Sequence, residues 1–344
     1  MRGLIHRSTH LHRVCLLEGG ACHAGGVLTF LDASAIDDLL TVSELADVIG
    51  DAFGSSPRFA RSAVDVDGGE LLLMPAAHAG TLTVKTLTLF EGAPAHGLPG
   101  VQGLATVFDA VTGRPLAVLD AAAVTRLRTA AVTVSATDRL ARPDARVLAV
   151  VGAGEQAKGH LAGLARIRPW TEIRLHSRGV DKARAVAEWA RGQGIGVEVH
   201  ESLGTAIADA DVICTLTSAA DPLFEDAALP REGLHVSAVG GYGPARRELP
   251  AALLARSSLF VESADAALRE AGDLILAIAD GALPPSPALT ELGAVLTAHH
   301  PGRRDATETT VFTSVGLPAE DALTCDLLYR RALEQGAGLE VPFD

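Results

Sequence analysis

Several features that often point to a protein's class are missing from this sequence of 344 residues. No apolar run approaches the roughly 20 residues that a membrane-spanning helix needs. The four cysteines form no Cys-x-x-Cys pair, so we expect a reduced, cytoplasmic protein. Lysine and arginine number 29 against 42 acidic residues, and the net charge of −13 argues against nucleic acid or an acidic membrane as a partner. An anionic ligand must then be held by a few individually placed cations.

The remaining composition is that of an ordinary globular protein. Hydrophobic residues make up 48% and charged residues 21% of a chain long enough for about two domains. Residues 1–26 stand apart, because they have little periodicity and carry His6, His10, His12, Cys15, Cys22 and His23. Their spacings fit no zinc pattern, so we expect a disordered extension, or an upstream start codon, and no metal site.

The most informative motif is a glycine turn in the middle of the chain, where an apolar strand runs into Gly152-Ala-Gly-Glu-Gln-Ala157. Gly152 permits a tight turn, Gly154 lets the backbone approach a pyrophosphate, and the final alanine lets a helix pack on the strand. That helix begins near Glu155 and Gln156, where free N–H groups and the positive dipole end would face the phosphates. The pattern predicts a dinucleotide site. The alternative is an ordinary glycine-rich turn between strand and helix.

Strands and helices alternate after this turn, which specifies a parallel sheet with helices on both faces. The predicted strands are residues 147–151, 172–177, 197–201, 212–218, 235–240 and 259–262. Upstream, short strands and a helix over residues 122–140 lead to Pro143, which marks the domain boundary. The chain ends with a strand over residues 309–315 and a helix over residues 317–336, which we expect to fold back on the first domain.

One upstream strand, residues 81–90, has an irregular pattern. Thr81, Thr83 and Lys85 alternate with apolar residues, and the phase changes at Thr86. Because a one-residue slip moves side chains to the opposite face, we expect a bulge near Lys85.

The end of the second strand after the glycines bears on the choice of cofactor. A site for NAD has an acidic residue about 20 residues beyond the glycines, where it binds the ribose hydroxyls. Here the strand ends in Ser177 and Arg178, a hydroxyl and a guanidinium that suit a 2′-phosphate better. We therefore expect NADP(H) rather than NAD(H). The alternative is that Arg178 only points to solvent.

Three cations precede the glycine turn in apolar or small-residue surroundings: Arg61, Lys85 and Arg128. Arg128 shares a predicted helix face with Thr125. An arginine fork binds a carboxylate through charged hydrogen bonds of about 1.5–3 kcal/mol each. Taken singly, each of these cations is more commonly a surface residue with a buried stem.

Six segments together resemble the ornithine cyclodeaminase/mu-crystallin family. They are Leu72-Leu-Met-Pro-Ala76 followed by Lys85, Phe108-Asp-Ala-Val-Thr-Gly113, Thr125-Arg-Leu-Arg-Thr-Ala-Ala131, Leu140-Ala-Arg-Pro143, Val151-Gly-Ala-Gly-Glu-Gln-Ala157 and Phe312-Thr-Ser-Val-Gly316. The resemblance extends over residues 27–344, and the ordered set is far more specific than any one segment.

The resemblance implies an α/β fold and a homodimer. A Rossmann dinucleotide-binding domain, residues 142–310, would be inserted into an α+β substrate-binding and dimerisation domain, residues 27–141 plus 311–344. Arg61, Lys85 and Arg128 would bind the substrate carboxylate, with Lys85 also close to the reacting nitrogen. Besides the residues of the glycine turn and of the second strand's end, we expect the cofactor to contact Thr125, Thr215, Thr217, Val239, Gly240 and Ser314.

The sequence departs from the family at a position that bears on the reaction. True cyclodeaminases carry an Asp that binds the side-chain amine of ornithine, and Tyr242 stands there in this chain. A phenol is neutral near pH 7 and cannot replace a carboxylate as the partner of an ammonium group. Residues 91–99 and Thr313 also differ, where the family often has a Pro-x-Asn element and a Lys. Cyclodeamination is therefore disfavoured.

Family members that lack the Asp resemble reductases of imines next to a carboxylate. We therefore expect NADPH-dependent reduction of an α-imino acid, such as Δ1-pyrroline-2-carboxylate or Δ1-piperideine-2-carboxylate. Lys85 would supply or shuttle the proton, and Tyr242 would either hydrogen-bond the imine nitrogen or only pack over the cofactor. The alternatives are an amino-acid or opine-like N-substituted amino-acid dehydrogenase, a cyclodeaminase, and a non-catalytic ligand-binding protein.

Overall fold

A computed structural model describes residues 26–54, 60–230 and 232–343. The predicted N-terminal extension lies outside the described residues except for Gly26, which begins the first strand. No described helix is both long enough and apolar enough to cross a lipid bilayer.

The strands of the described residues follow in chain order: β1 Gly26–Leu31, β2 Ser62–Val66, β3 Gly69–His78, β4 Thr81–Leu89, β5 Val101–Asp109, β6 Pro115–Asp120, β7 Val147–Val151, β8 Glu172–His176, β9 Glu198–His200, β10 Val212–Thr215, β11 His235–Ala238, β12 Ser258–Val261, β13 Leu289–Glu291, β14 Thr310–Thr313 and β15 Leu339–Phe343. The α-helices are α1 Ala33–Leu39, α2 Val42–Val48, α3 Asp51–Gly54, α4 Ala121–Leu140, α5 Glu155–Leu164, α6 Val180–Gly192, α7 Leu203–Ile207, α8 Ala251–Ala255, α9 Ala264–Glu270, α10 Gly272–Ala279, α11 Leu292–Leu296 and α12 Pro318–Gln335.

The first sheet has seven strands in the order β15-β1-β6-β5-β4-β3-β2, and all neighbours except β1 and β6 are antiparallel. Helices α4 and α12 pack against it. The expected bulge near Lys85 is wrong, because β4 pairs without interruption with both β3 and β5. Thr81, Thr83, Lys85 and Leu87 are all buried on one face of β4. The irregular pattern therefore reflects polar residues on the buried face and no change of register.

The second sheet has eight parallel strands in the order β13-β12-β14-β11-β10-β7-β8-β9. From β7 the chain first builds β8 and β9 on one side and then returns to place β10 and β11 on the other. In such sheets a ligand binds beyond the carboxyl ends of the strands, at the point where the strand order reverses. The order reverses between β7 and β10, so the crevice lies at the carboxyl ends of these two strands. The predicted glycine turn follows β7 at this edge.

The predicted α/β fold class is confirmed, with one correction to the arrangement of the last strand and helix. Helix α12 packs on β3 and β4 of the first sheet, as expected. Strand β14 was expected there too, and this is wrong, because it pairs with β11 and β12 inside the second sheet. All four residues of β14 are buried, as a central parallel strand requires. The domain boundary at residues 141/142 remains a prediction, whereas the one at residues 310/311 would cut through β14, which belongs wholly to the second sheet.

Helix α4 joins the two sheets and lies in the common core. It begins after Asp120, whose Oδ1 accepts the Ala123 N–H at 2.8 Å. Most of its 20 residues are buried, and many are alanine, valine or threonine. Such small side chains allow close packing of α5, where a Cβ on Gly159 would lie 3.3 Å from the Ala130 side chain. The helix that carries Thr125 and Arg128 is therefore held on several sides.

Replacing Gly152 with alanine should lower the free energy of unfolding by more than about 2 kcal/mol. Gly152 has φ of +120°, and a Cβ there would lie 2.6 Å from the Leu216 carbonyl oxygen. The control is Gly192→Ala in α6, where a Cβ would meet nothing within 4 Å. This substitution should raise the free energy of unfolding by about 0.5–1 kcal/mol, because alanine favours the helix over glycine. Urea unfolding followed by circular dichroism measures both changes. Equal stability of the two variants would contradict the prediction.

Candidate functional site

The glycine turn forms the floor of the crevice. A Cβ on Gly154 would meet nothing within 4 Å, so the space outside this part of the turn is open to a ligand. Gly154 caps α5 without a side-chain hydrogen bond, and the N–H groups of Glu155 and Gln156 therefore stand at an uncapped helix start. Free N–H groups beside an open glycine fit the pyrophosphate of a dinucleotide.

The end of β8 lies beside the glycine turn, because β7 and β8 are paired up to Val151 and His176. Ser177 is half-buried and Arg178 is exposed. The Lys182 side chain folds back over Gly179, where a Cβ would lie 3.7 Å from the Lys182 Cδ atom. A second cation thus accompanies Arg178, and it was missed in the sequence because it lies in the first turn of α6.

Lys85 lies on the buried face of β4, is fully buried, and points at the start of α12. Its Nζ atom lies 2.7 Å from Asp321 Oδ1, and it donates to the Thr125 hydroxyl at 3.2 Å. Burial lowers the pKa of Lys85 to about 8, an effect that Asp321 opposes and Arg128 reinforces. The ammonium group is therefore close to losing its proton at neutral to mildly basic pH.

Arg128 shares the Asp321 oxygen with Lys85. Its Nε atom lies 3.1 Å from Asp321 Oδ1, and one terminal nitrogen lies 3.0 Å from Glu320 Oε2. The guanidinium also lies so close to Gly316 that any Cβ there would overlap it. Burial opposes the charge of Arg128, but Asp321 and Glu320 outweigh it and raise the pKa. Arg128 is thus a permanently charged, fixed group.

The two acidic residues in the first turn of α12, Glu320 and Asp321, are both fully buried. Burial and the neighbouring Glu262 raise the pKa of Glu320 well above its ordinary value, against the effect of Arg128. Glu262 itself accepts hydrogen bonds from the Ser314 hydroxyl at 2.6 Å and from the Gly316 N–H at 2.6 Å. Glu262 thus holds the backbone after β14, while Glu320 and Asp321 hold the two cations.

Arg61 approaches the same segment from the other side. It donates to the Val315 carbonyl at 2.6 Å and to the Gly316 carbonyl, and its Nε atom lies 3.0 Å from Glu270 Oε2. Its guanidinium carbon lies 5.4 Å from the centre of the Tyr242 ring, a cation–π contact. Gly316 thus lies between two arginines at the carboxyl end of β14, the same edge of the sheet as the glycine turn.

Tyr242 is half-buried and faces the first sheet. Its hydroxyl lies 3.4 Å from Glu70 Oε2, and its backbone forms an isolated bridge with Ala271. Burial is the largest cause of a raised Tyr242 pKa, although Arg61 lowers it. The phenol therefore stays protonated and donates towards Glu70.

A cavity of about 180 Å³ opens beside Arg61. Its walls include Ser263, Arg269, Glu270 and Leu317. A larger cavity, of about 340 Å³, is lined by residues such as Leu259 and Pro284 and involves none of the three cations.

The predicted site residues fall into two groups. Arg61, Lys85, Arg128, Thr125 and Tyr242 converge through direct contacts or through Gly316, Asp321 and Glu320. Among the predicted cofactor residues, Thr125, on α4, thus lies with the cations, and the others lie at the carboxyl ends of β7, β8, β10, β11 and β14. Three of them donate their hydroxyls to buried carboxylates: Thr215 and Thr217 to Glu248 at 2.8 and 2.6 Å, and Ser314 to Glu262 at 2.6 Å.

Six acidic residues that contact these groups were missed in the sequence: Glu70, Glu248, Glu262, Glu270, Glu320 and Asp321. Glu320 and Asp321 lie in the first turn of α12, where acidic residues ordinarily serve the helix dipole. Asp321 instead holds Lys85, which lies 236 positions earlier in the chain. The spacing of residues in the sequence does not distinguish this role from the ordinary one.

Comparison with known proteins gives a consistent result. Residues 27–336 match the ornithine cyclodeaminase/mu-crystallin family. A Δ1-pyrroline-2-carboxylate reductase of Bacillus cereus is 36% identical over 276 residues, 79% of this chain and 84% of that protein. The ketimine reductase mu-crystallin of Mus musculus is 37% identical over 264 residues, 76% of this chain and 80% of that protein.

Among solved structures, a Δ1-pyrroline-2-carboxylate reductase of Thermococcus litoralis, in complex with NADH and L-proline, matches this fold with a TM-score of 0.86. The two sequences are 30% identical, and the match covers 91% of this chain and 100% of that chain. The family match includes all of the second sheet, the first sheet except β15, and helix α12, and it confirms the resemblance seen in the sequence. The chain belongs to the ornithine cyclodeaminase/mu-crystallin family.

Proposed function

We propose that this protein is an oxidoreductase that reduces an α-imino acid to the amino acid with a nicotinamide dinucleotide. The observation that carries the proposal is that one oxygen of Asp321 holds both Lys85 and Arg128. Arg128 in turn lies on Gly316, at the edge of the sheet where the glycine turn opens. A carboxylate-binding pair beside a dinucleotide crevice suits a small substrate whose reacting carbon carries a carboxylate. The similarity of the chain to a Δ1-pyrroline-2-carboxylate reductase and to a ketimine reductase supports the same reaction.

Reduction of a C=N bond adds a hydride to carbon and a proton to nitrogen. A reduced nicotinamide supplies the hydride when it is bound. Arg61, Lys85 and Arg128 would hold the substrate carboxylate, and Lys85 would also hold a proton at Nζ beside the imine nitrogen. Asp321 keeps this ammonium group charged against the cost of its burial. Tyr242 and Arg61 would exclude water from the outer side of the pocket.

Purified protein should consume NADPH or NADH with Δ1-pyrroline-2-carboxylate. Arg128→Met should lower kcat/KM at least 100-fold, because a buried charged hydrogen-bond partner of the carboxylate is lost, about 2.7 kcal/mol. The control is Arg126→Met on the outer side of α4, where Arg126 lies 2.8 Å from Asp37. This variant should keep wild-type activity.

Other outcomes of this assay would favour the alternatives. Conversion of ornithine to proline and ammonia would indicate a cyclodeaminase. Oxidation of amino acids without any imine reduction would indicate a dehydrogenase. Cofactor binding without turnover of any imino acid would indicate a ligand-binding protein.

The KM for the imino acid should rise as the pH increases through about 8, because Lys85 is charged below its pKa of about 8 and neutral above it. A neutral amine no longer attracts the substrate carboxylate, and it has one proton fewer to donate. Asp321→Asn should move this rise to lower pH, since the carboxylate that favours the charged amine is removed. Steady-state kinetics between pH 6 and 9.5 measures both effects. A KM that is constant across this range would exclude Lys85 as a carboxylate ligand.

We also propose NADP(H) as the preferred cofactor. Exposed Arg178 and neighbouring Lys182 lie at the end of β8, where a 2′-phosphate would bind. Residue 177 is a serine, so no acidic side chain at this position would repel that phosphate. This choice between the two cofactors rests on these side chains.

Arg178→Ala should raise the Kd of NADPH about tenfold or more and leave that of NADH within about twofold. The reason is that only NADPH carries a phosphate for the guanidinium to bind. Arg191→Ala, at the exposed far end of α6, is a matched control and should change neither value. Fluorescence titration with each cofactor measures the constants. Equal losses for both cofactors would contradict the preference.

We propose, further, that the outer face of the first sheet forms the interface of a homodimer. Residues facing away from α4 and α12 include a row across the sheet made of Pro75, Val84, Thr106, Val118 and Phe30. In the adjacent row Leu73 and Leu104 are 36% and 51% exposed. An apolar sheet face of this extent is typical of an obligate interface.

Leu104→Glu should convert the dimer to a monomer, because it places a charge in the middle of this apolar face. Val111→Glu is the control, since Val111 is 91% exposed in the turn between β5 and β6. Size-exclusion chromatography with light scattering gives the mass of each variant. A dimeric Leu104→Glu protein would place the interface elsewhere.

A further inference from the structure

Glu248 is a buried carboxylate that no part of the proposed chemistry uses. It lies outside the named strands and helices, between β11 and α8, with 0% of its surface exposed. Its Oε1 atom accepts the Thr217 N–H at 2.7 Å and the Thr217 hydroxyl at 2.6 Å. Its Oε2 atom accepts the Thr215 hydroxyl at 2.8 Å and the Gly240 N–H at 2.9 Å. Four donors therefore share one carboxylate.

These donors belong to two neighbouring loops of the crevice. Thr215 and Thr217 lie at and after the carboxyl end of β10, and Gly240 follows β11. The loops touch, because a Cβ on Gly240 would overlap the backbone of Thr217. Leu216, between the two threonines, also touches Gly152 through its carbonyl oxygen. The glycine turn and both loops therefore pack against one another at the carboxyl edge of the sheet. Glu248 accepts hydrogen bonds from both loops.

Asp273 holds Glu248 in turn. Its Oδ1 atom accepts the Glu248 N–H at 2.9 Å and the Leu249 N–H at 2.8 Å. Asp273 lies in the first turn of α10, and this helix follows Ala271, the bridge partner of Tyr242. The position of Glu248 is therefore fixed from the helix side as well as from the loop side.

We propose that Glu248 is a positioning residue that sets the spacing of the β10 and β11 loops for the dinucleotide. This inference rests on the proposed function. An amide in its place has a single acceptor oxygen. The threonine hydroxyls can turn and accept from the amide, but a backbone N–H cannot. Glu248→Gln would leave either the Thr217 or the Gly240 N–H facing another donor, and one of the two loops would move.

The test is direct titration of the full-length protein with NADPH and with NADH, without substrate. Glu248→Gln should raise the Kd of the tighter cofactor at least tenfold. The control is Glu308→Gln. Glu308 also joins two segments, because it accepts the Arg304 N–H at 2.6 Å and the Ser258 hydroxyl at 2.5 Å. It lies at the amino ends of β12 and β14, on the edge of the sheet opposite the crevice. Glu308→Gln should lower the melting temperature but leave the Kd within twofold.

The outcomes separate this inference from the proposed function. Wild-type binding together with unchanged binding by a folded Glu248→Gln variant would overturn only the inference. A wild-type protein that binds neither dinucleotide would overturn both. Where Glu248→Gln does not fold, Thr215→Val removes one donor to the same carboxylate and should weaken binding severalfold. Unchanged affinity in that variant would also overturn the inference.

Discussion

The interaction on which the site depends is the one between Asp321 and two cations, Lys85 and Arg128, in the interior of the protein. An unpaired charge at such depth would cost several kcal/mol, so neither cation could remain charged there alone. One carboxylate oxygen serves both, and Glu320 supplies a further contact to the arginine. The result is a pair of positive groups that keep most of their charge without contact with water, as binding of a small carboxylate requires.

This arrangement explains why the last helix returns to the first sheet. The carboxylates on α12 must face β4 and α4, and the segment that leads into α12 must pass between Arg61 and Arg128. A glycine at position 316, with φ of +72°, leaves room for the Arg128 guanidinium group, which any Cβ there would overlap, while Arg61 donates to the carbonyl of the same residue. Strand β14 therefore ends at the cofactor edge of one sheet, and α12 begins at the cation cluster of the other. The same short connection serves both halves of the site.

The sequence was most informative where chemistry is local. The glycine turn, the alternating strands and helices, and the helix that carries Arg128 could be predicted because each depends on residues close together in the chain. The bulge at Lys85 was wrong because a polar residue on a buried strand face looks like a change of register until its partner is known. Asp321 could not be recognised for the same reason, since an acidic residue in the first turn of a helix is ordinary. The position of β14 depended on strand pairing, which periodicity does not specify.

The distance in sequence between Lys85 and Asp321 has a consequence for synthesis of the chain. The lysine is made 236 residues before its carboxylate partner, a delay of about 10–50 s at ordinary rates of translation. During that interval the inner face of the first sheet has neither α12 nor a counter-charge for its cation, so it cannot adopt its final packing. All eight strands of the second sheet have been synthesised by the time Asp321 is added. The cation cluster can therefore form only after α12 has been synthesised, and a chain truncated before α12 would have every strand of the second sheet but no carboxylate partner for Lys85 and Arg128.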